Sequence, residues 1–147
     1  MIPNLAEIAA SDEGKIGKHT NRFIPPDVFY LKIVGDMTDE EGKEVNDGHW
    51  NIGKDVDGLF FLCDIAELES VSPMTRKQAV EIQKKMAIAG AVVLKAPLKA
   101  RIFAKLILTA TNMFKSEKMP VMFVDTIEEA WAAIEKRRVE YHSRKKT

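Results

Sequence analysis

Three aspartates, Asp36, Asp64 and Asp125, each stand where an apolar or β-branched run gives out. If those runs are parallel strands, their carboxyl ends share one rim of a sheet. Carboxylates clustered there hold magnesium and accept a phosphoryl group. Asp64 would be the acceptor and Asp36 its metal-binding neighbour, with Lys95 closing the pocket. A plainer reading competes with this one: Asp36 and Asp125 open helix-start signals, and Asp64 bonds amides of its own loop. The sequence favours the plainer reading.

A second group of polar residues lies in the stretch that leaves Asp64. Glu67, Ser70, Ser72, Thr75 and Arg76 stand just before or at the start of a helix. A phosphorylated hydroxyl at that place would be stabilised by the helix N-terminus, so Ser72 and Thr75 are candidate switch sites. Their structural alternative is capping: Ser72-Pro73 offers an N-cap followed by proline at the first helical position, and Thr75-x-x-Gln78 offers a competing capping box. Asp64, Glu67, Ser72, Thr75 and Arg76 together form the candidate regulatory or partner loop. Phe103, Ile107 and Phe114, at helical spacing, are candidate lining for an apolar pocket, with ordinary core packing as the alternative.

Other chemistries find no residues to carry them. The eight glycines stand at 14, 17, 35, 42, 48, 53, 58 and 90, and match neither the dinucleotide fingerprint nor the phosphate loop. His19, His49 and His142 are scattered, so no metal site is expected, and His49 is read on the exposed side of its helix. Cys63 sits inside an apolar run and reads as an inert core thiol. There is no Gly-x-Ser-x-Gly elbow. We therefore expect no catalytic residues, no cofactor and no enzyme.

Composition bounds the rest. The chain has 147 residues, enough for one domain with one proper core. Basic and acidic residues balance at 22 each, which gives no field to recruit nucleic acid. No apolar run approaches the roughly 20 residues of a membrane span. The first residues lack the pattern of a signal peptide, and the single cysteine suits a reducing compartment, so a cytoplasmic location is expected.

The elements that must position these residues follow from periodicity. Residues 1–14 read as a loosely ordered leader with one helical turn over 4–10, and 15–138 as the single domain. Residues 139–147 read as a basic tail complementing a helix C-terminus. Residues 15–23 and 28–34 form an antiparallel edge hairpin about the paired prolines. Thr38-Asp39-Glu40-Glu41 is a capping box that opens a helix to about residue 51. The run Gly58-Leu59-Phe60-Phe61-Leu62-Cys63-Asp64 is a strand buried on both faces, at the centre of a parallel sheet. A helix over 74–87, a short strand at 91–94 and a helix over 98–114 follow. In that last helix Leu98, Ile102, Phe103, Leu106, Ile107, Ala110, Met113 and Phe114 are expected to face the core. A strand at 120–124 precedes the final helix, lined by Ile127, Ala130, Trp131, Ile134 and Tyr141. The expected fold is α/β: a mixed, mostly parallel sheet of about five strands and four helices, with right-handed crossovers.

Three pieces of this order are familiar. They are residues 27–38 (Asp-Val-Phe-Tyr-Leu-Lys-Ile-Val-Gly-Asp-Met-Thr), residues 58–64, and residues 120–131 (Pro-Val-Met-Phe-Val-Asp-Thr-Ile-Glu-Glu-Ala-Trp). Together they resemble the SpoIIAA-like branch of the STAS domains (sulfate transporter and anti-sigma factor antagonist). The resemblance implies a mixed sheet with helices largely on one side, and fold kinship with the lipid-binding CRAL-TRIO proteins. It also implies a regulatory module whose partner is another protein. Antagonists of that family are switched by phosphorylation of a serine in an Asp-Ser-Ser/Thr-Gly loop. The matching Ser72-Pro73-Met74-Thr75 lacks the aspartate, the paired serine and the glycine, so the familiar switch motif is absent. A carrier or sensor of a small apolar, lipid-like ligand is the alternative function, and the Asp64 phosphoacceptor a second. Apolar residues near the edge hairpin are compatible with a homodimer.

Overall fold

The computed structural model describes residues 3–113, 115 and 118–145. In chain order the elements are α1 (Leu5–Ala10), β1 (Lys15–Ile16), β2 (His19–Ile24), β3 (Val28–Met37), α2 (Asp39–Gly53), β4 (Leu59–Val71), α3 (Pro73–Gln83), β5 (Ile88–Leu94), α4 (Leu98–Asn112), β6 (Val121–Val124) and α5 (Ile127–Lys145). The six strands lie side by side in chain order. β1, β2 and β3 pair antiparallel, while β3, β4, β5 and β6 run parallel. The sheet has one strand more than expected, because 15–24 breaks into two short pieces around Gly17. Among the described residues the helices number five, the extra one being the turn foreseen over 4–10.

Alternation along the strands divides the core between two faces. Phe29, Ile33, Phe61, Ile65, Ala91 and Val93 point to one face and meet α2, α3 and α4. Val28, Tyr30, Phe60, Leu62, Val92 and Leu94 point to the other and meet α1 and α5. All three helices that cross between parallel strands therefore share one face, as uniform right-handed crossovers in a sequentially ordered sheet require. The final helix closes the opposite face. Arg138 ties it to the start of β3 through a two-pronged ion pair with Asp27, at 2.7 and 2.9 Å. Asp27 is buried, and its hydrogen bonds hold the Arg138 guanidinium above its ordinary pKa. The basic residues 139–145 continue α5 as helix.

Two sequence expectations fail here for physical reasons. β4 continues for seven residues past Asp64, pairing with β3 as far as Met37↔Val71. β5 stops opposite Asp64, so the stretch beyond is a two-stranded parallel ribbon. The apolar run ends where the third strand ends, whereas backbone pairing does not. α4 also turns its face. Ala100, Ala104, Leu108 and Thr111 are buried, while Leu98 (74% exposed), Ile102 (53%), Leu106 (62%) and Met113 (66%) face outward. Ala100 and Ala104 let α4 approach the sheet, and Leu98, Ile102 and Leu106 are left on the surface.

A close contact fixes α3 against α2. A Cβ on Gly42 would fall 2.1 Å from Thr75 Oγ1 and 2.8 Å from Thr75 Cβ. Only glycine lets the two helices meet at this depth. Asn46 secures the contact by donating to the Thr75 carbonyl at 3.2 Å.

Candidate functional site

The face of the sheet under α2, α3 and α4 is not completely filled. A cavity of about 110 Å³ lies there, floored by β3, β4 and β5. Its origin is legible in the helix residues turned inward, among them Val45 and Asn46, Thr75 and Ala79, and Ala104 and Ile107. Several are too short to reach the sheet. Interiors normally hold few voids larger than a water molecule, so a space of this size is a distinct feature of the molecule.

Polar groups on the wall are turned toward one another. Gln83 accepts from the Thr111 hydroxyl at 2.9 Å. His49 Nε2 donates to Asn21 Oδ1 at 2.7 Å. The Thr75 amide donates to the Ser72 hydroxyl at 3.1 Å, and the Ser72 hydroxyl donates in turn to Thr75 Oγ1 at 3.0 Å. What remains facing the space is largely hydrocarbon. The exception is Arg76. Its Nε–H is closed off from solvent and has no hydrogen-bond partner, and its guanidinium lies over the Phe103 ring, 5.8 Å from the centroid. No other charged side chain lines the cavity among the described residues.

Burial governs the titrating groups. His49 was expected on an exposed helix face; it is 3% exposed, packed between the Phe29 and Phe61 rings. Burial lowers its pKa to about 3, so it is neutral. Cys63 is half-buried because its free surface faces the cavity. Burial first, then the charge of Asp64, pushes its thiol up to about 12. It is a wall group, not a nucleophile. Nearby, His19 Nδ1 accepts from the Val34 amide at 3.1 Å, where a register shift frees that amide, so Nε2 carries the proton that faces Glu41 at 3.3 Å. The Thr38 amide, foremost, holds the Glu41 carboxyl below its usual range.

The residues singled out from sequence separate into two groups. Thr75, Arg76, Phe103 and Ile107 come together on the cavity wall. Phe114 lies outside the described residues. Ser72 caps α3, with Pro73 at the first position, so of the two competing start signals the earlier one is used. Thr75 is 4% exposed, which closes its hydroxyl to a modifying enzyme in this conformation. Asp64 and Glu67 lie on the ribbon strand and do not join the cavity. Glu67 is exposed and pairs with Lys32 at 3.7 Å.

The acidic pocket is not assembled. Asp64 sits within β4 opposite Lys32, and Asp36 lies four residues further along β3, about 13 Å at the rise of a strand. Asp36 instead accepts from the Ser70 hydroxyl at 2.6 Å, and Asp125 faces Arg101 at 3.9 Å. Among the described residues no three acidic, histidine or cysteine side chains are placed to share a metal ion. The sequence reading missed His49, Gln83 and Asn46 as wall residues. The only signal was polar residues at the inward spacing of α2 and α3.

No protein-family model matches the chain, and no curated protein sequence matches it. Solved structures do. An uncharacterised DUF3478-family protein with a SpoIIAA-like fold, from Shewanella loihica PV-4, is similar at a TM-score of 0.56 and 15% identity, over 79% of this chain and 91% of that one. A proposed anti-sigma factor antagonist from Thermotoga maritima gives a TM-score of 0.48 at 16% identity, over 81% of this chain and 96% of that one. The fold of the chain is SpoIIAA-like, in agreement with the resemblance drawn from its sequence. Among the described residues no helix is long and apolar enough to cross a membrane.

Proposed function

We propose that the chain is a non-enzymatic regulatory module that senses a small apolar ligand held under α2, α3 and α4. One observation carries this reading: the hydrocarbon-walled cavity of about 110 Å³ bordered by Phe103 and Ile107. Cavities of roughly 150 Å³ with aliphatic and aromatic walls stay dry and take up benzene or xenon. This space is of the same order. Ligand entry would act on the contacts between the helices and the sheet, since small side chains separate them there.

The test is thermal unfolding of the full chain with and without benzene, beside an Ala104→Leu variant that fills the space. Benzene should raise the Tm of the wild-type chain by mass action and leave the variant unmoved. Absence of any shift in the wild type overturns the reading. So does a variant destabilised by the 1–3 kcal/mol, roughly, that overpacking a solid core costs.

A second reading, contact with another protein, is favoured by the exposed apolar side chains of α4. Leu98, Ile102, Leu106 and Met113 fall on one outward stripe, and Met74 of α3 is also exposed. Exposed apolar patches of this kind mark contact sites. The two readings combine if occupancy of the cavity alters how α3 and α4 present this stripe. An Ile102→Glu variant should then keep its Tm and its benzene response while losing partner contact in a cross-linking comparison with wild type. Retention of the same cross-linked partner would exclude the stripe.

A further inference from the structure

The cavity wall carries one unexplained group, and it is charged. Arg76 Nε–H is buried without a partner, and no carboxylate among the described residues pairs with this side chain. A buried donor left unpaired costs free energy, and a charged one more so. The other buried side-chain nitrogen without a partner, Trp131 Nε1, belongs to the helix on the far side of the sheet and is neutral.

Arg76 is also placed at a boundary. It lines the cavity, and it lines the shallow groove between α3 and α4 that opens to solvent beside Val80, Leu106 and Ile107. The guanidinium carbon lies over the Phe103 ring, 5.8 Å from its centroid, a cation–π contact that holds the group at this place. An arginine held in this way grips a carboxylate side-on, with Nε–H and one terminal N–H donating to its two oxygens. The cavity wall offers one cation and no acidic group, and in the groove outside it Lys77 and Glu81 carry opposite charges, so Arg76 leaves a net single positive charge that suits a monoanion. The space behind it is hydrocarbon, which suits a short aliphatic tail.

We infer that the ligand is a small amphiphilic monocarboxylate, its carboxylate on Arg76 and its chain of about four to six carbons in the cavity. This rests on the proposed sensing of an apolar ligand and names its chemical class. The head group sits at the seam between α3 and α4. The tail lies beneath Ala79 and Ala104, against the Cys63 and Phe61 side of the sheet.

The probes are hexanoate, 1-hexanol and acetate, titrated by calorimetry into the full chain, its Arg76→Gln variant and its Arg76→Lys variant. In the wild type hexanoate should bind at least about tenfold more tightly than 1-hexanol, because a charge-assisted pair adds to the same tail. Acetate, which has the head without the tail, should bind far more weakly. Arg76→Gln should remove the preference, bringing hexanoate affinity down to that of 1-hexanol. Arg76→Lys keeps the charge without the fork and should fall between. If 1-hexanol matches hexanoate in the wild type, or the preference survives in Arg76→Gln, the carboxylate assignment is overturned while the apolar cavity stands. If neither six-carbon probe binds any of the three proteins, the cavity reading falls and this inference with it. A circular dichroism spectrum matching that of the wild type is the control that each variant is folded.

Discussion

Acid should destabilise this protein in a way that one residue controls. His49 is held between Phe29 and Phe61, with centroids 4.7 and 4.9 Å away, and its Nε2–H is used by Asn21 at 2.7 Å. The charged group on the same cavity wall is the cation Arg76, which also opposes a second positive charge. Burial lowers the imidazole pKa from 6.5 to about 3 in the folded chain. In the unfolded chain it keeps an ordinary value. Between those two pKa values the unfolded state binds a proton that the folded state does not. Unfolding free energy therefore falls as pH drops below about 6.5, and this loss levels off near pH 3. One proton corresponds to about 1.4 kcal/mol per pH unit, so the loss from pH 6.5 to pH 4 is about 3 kcal/mol. Against a domain stability of roughly 5–15 kcal/mol that is a large share. The comparison is His49→Gln, which keeps an N–H for Asn21 and has nothing to titrate. Urea unfolding followed by circular dichroism, at several pH values from about 4 to about 7, gives the two stability curves. The wild-type curve should fall away from the variant's by about 3 kcal/mol at the acid end. Parallel curves would refute the reasoning, since they would mean that His49 takes its proton inside the folded chain.

Three more expectations follow from contacts already described. Gly42→Ala places a methyl against Thr75 at impossible distance and should cost about 1–3 kcal/mol in urea unfolding, with Thr75→Ser in the same chain recovering part of it. Arg138→Ala should destabilise more than Asp27→Ala, by about 3 kcal/mol against about 2, because it leaves the more deeply buried partner charged and alone; equal costs would count against the asymmetry. Cys63, whose thiol is pushed up to about 12, should resist alkylation at neutral pH in the folded chain and react at an ordinary thiol rate once unfolded.

Much of the architecture can be read from the residues, because it depends on patterns that are local and repeated. The capping box of Thr38 and Glu41 forms with both of its hydrogen bonds, and Ser72 with Pro73 opens α3. Ala130, Trp131, Ile134 and Tyr141 of α5 are buried as their spacing requires. Failures occur where packing overrides hydrophobicity. In α4 Leu98, Ile102 and Leu106 lie outside while Ala100, Ala104, Leu108 and Thr111 lie inside, because the inward side must come close to a sheet of Val and Phe. In α2 the inward positions are Gly42, Asn46, His49 and Gly53 around a single Val45, which no apolar count would identify. The candidate site was half visible. Phe103, Ile107, Thr75 and Arg76 were singled out, but for separate reasons, and only the crossing of α3 over α4 makes them one wall. The acidic rim, the less favoured reading of Asp36, Asp64 and Asp125, fails because β4 runs on past Asp64, so its carboxylate projects from mid-strand.

The outermost strands of the sheet have a bearing on how this protein keeps to itself. β1 has two residues and β6 has four, with Pro120 immediately before β6. An incoming strand from a neighbouring molecule would find room for only a few ladder hydrogen bonds at either border, and proline offers none. Among the described residues the one longer unpaired margin is β4 beyond Asp64, where Glu67 and Glu69 are exposed. Like charges would oppose the stacking of identical margins. A sheet that carries long parallel strands at its centre is thus hard to extend from its sides, and polymerisation through strand addition is disfavoured at each of them.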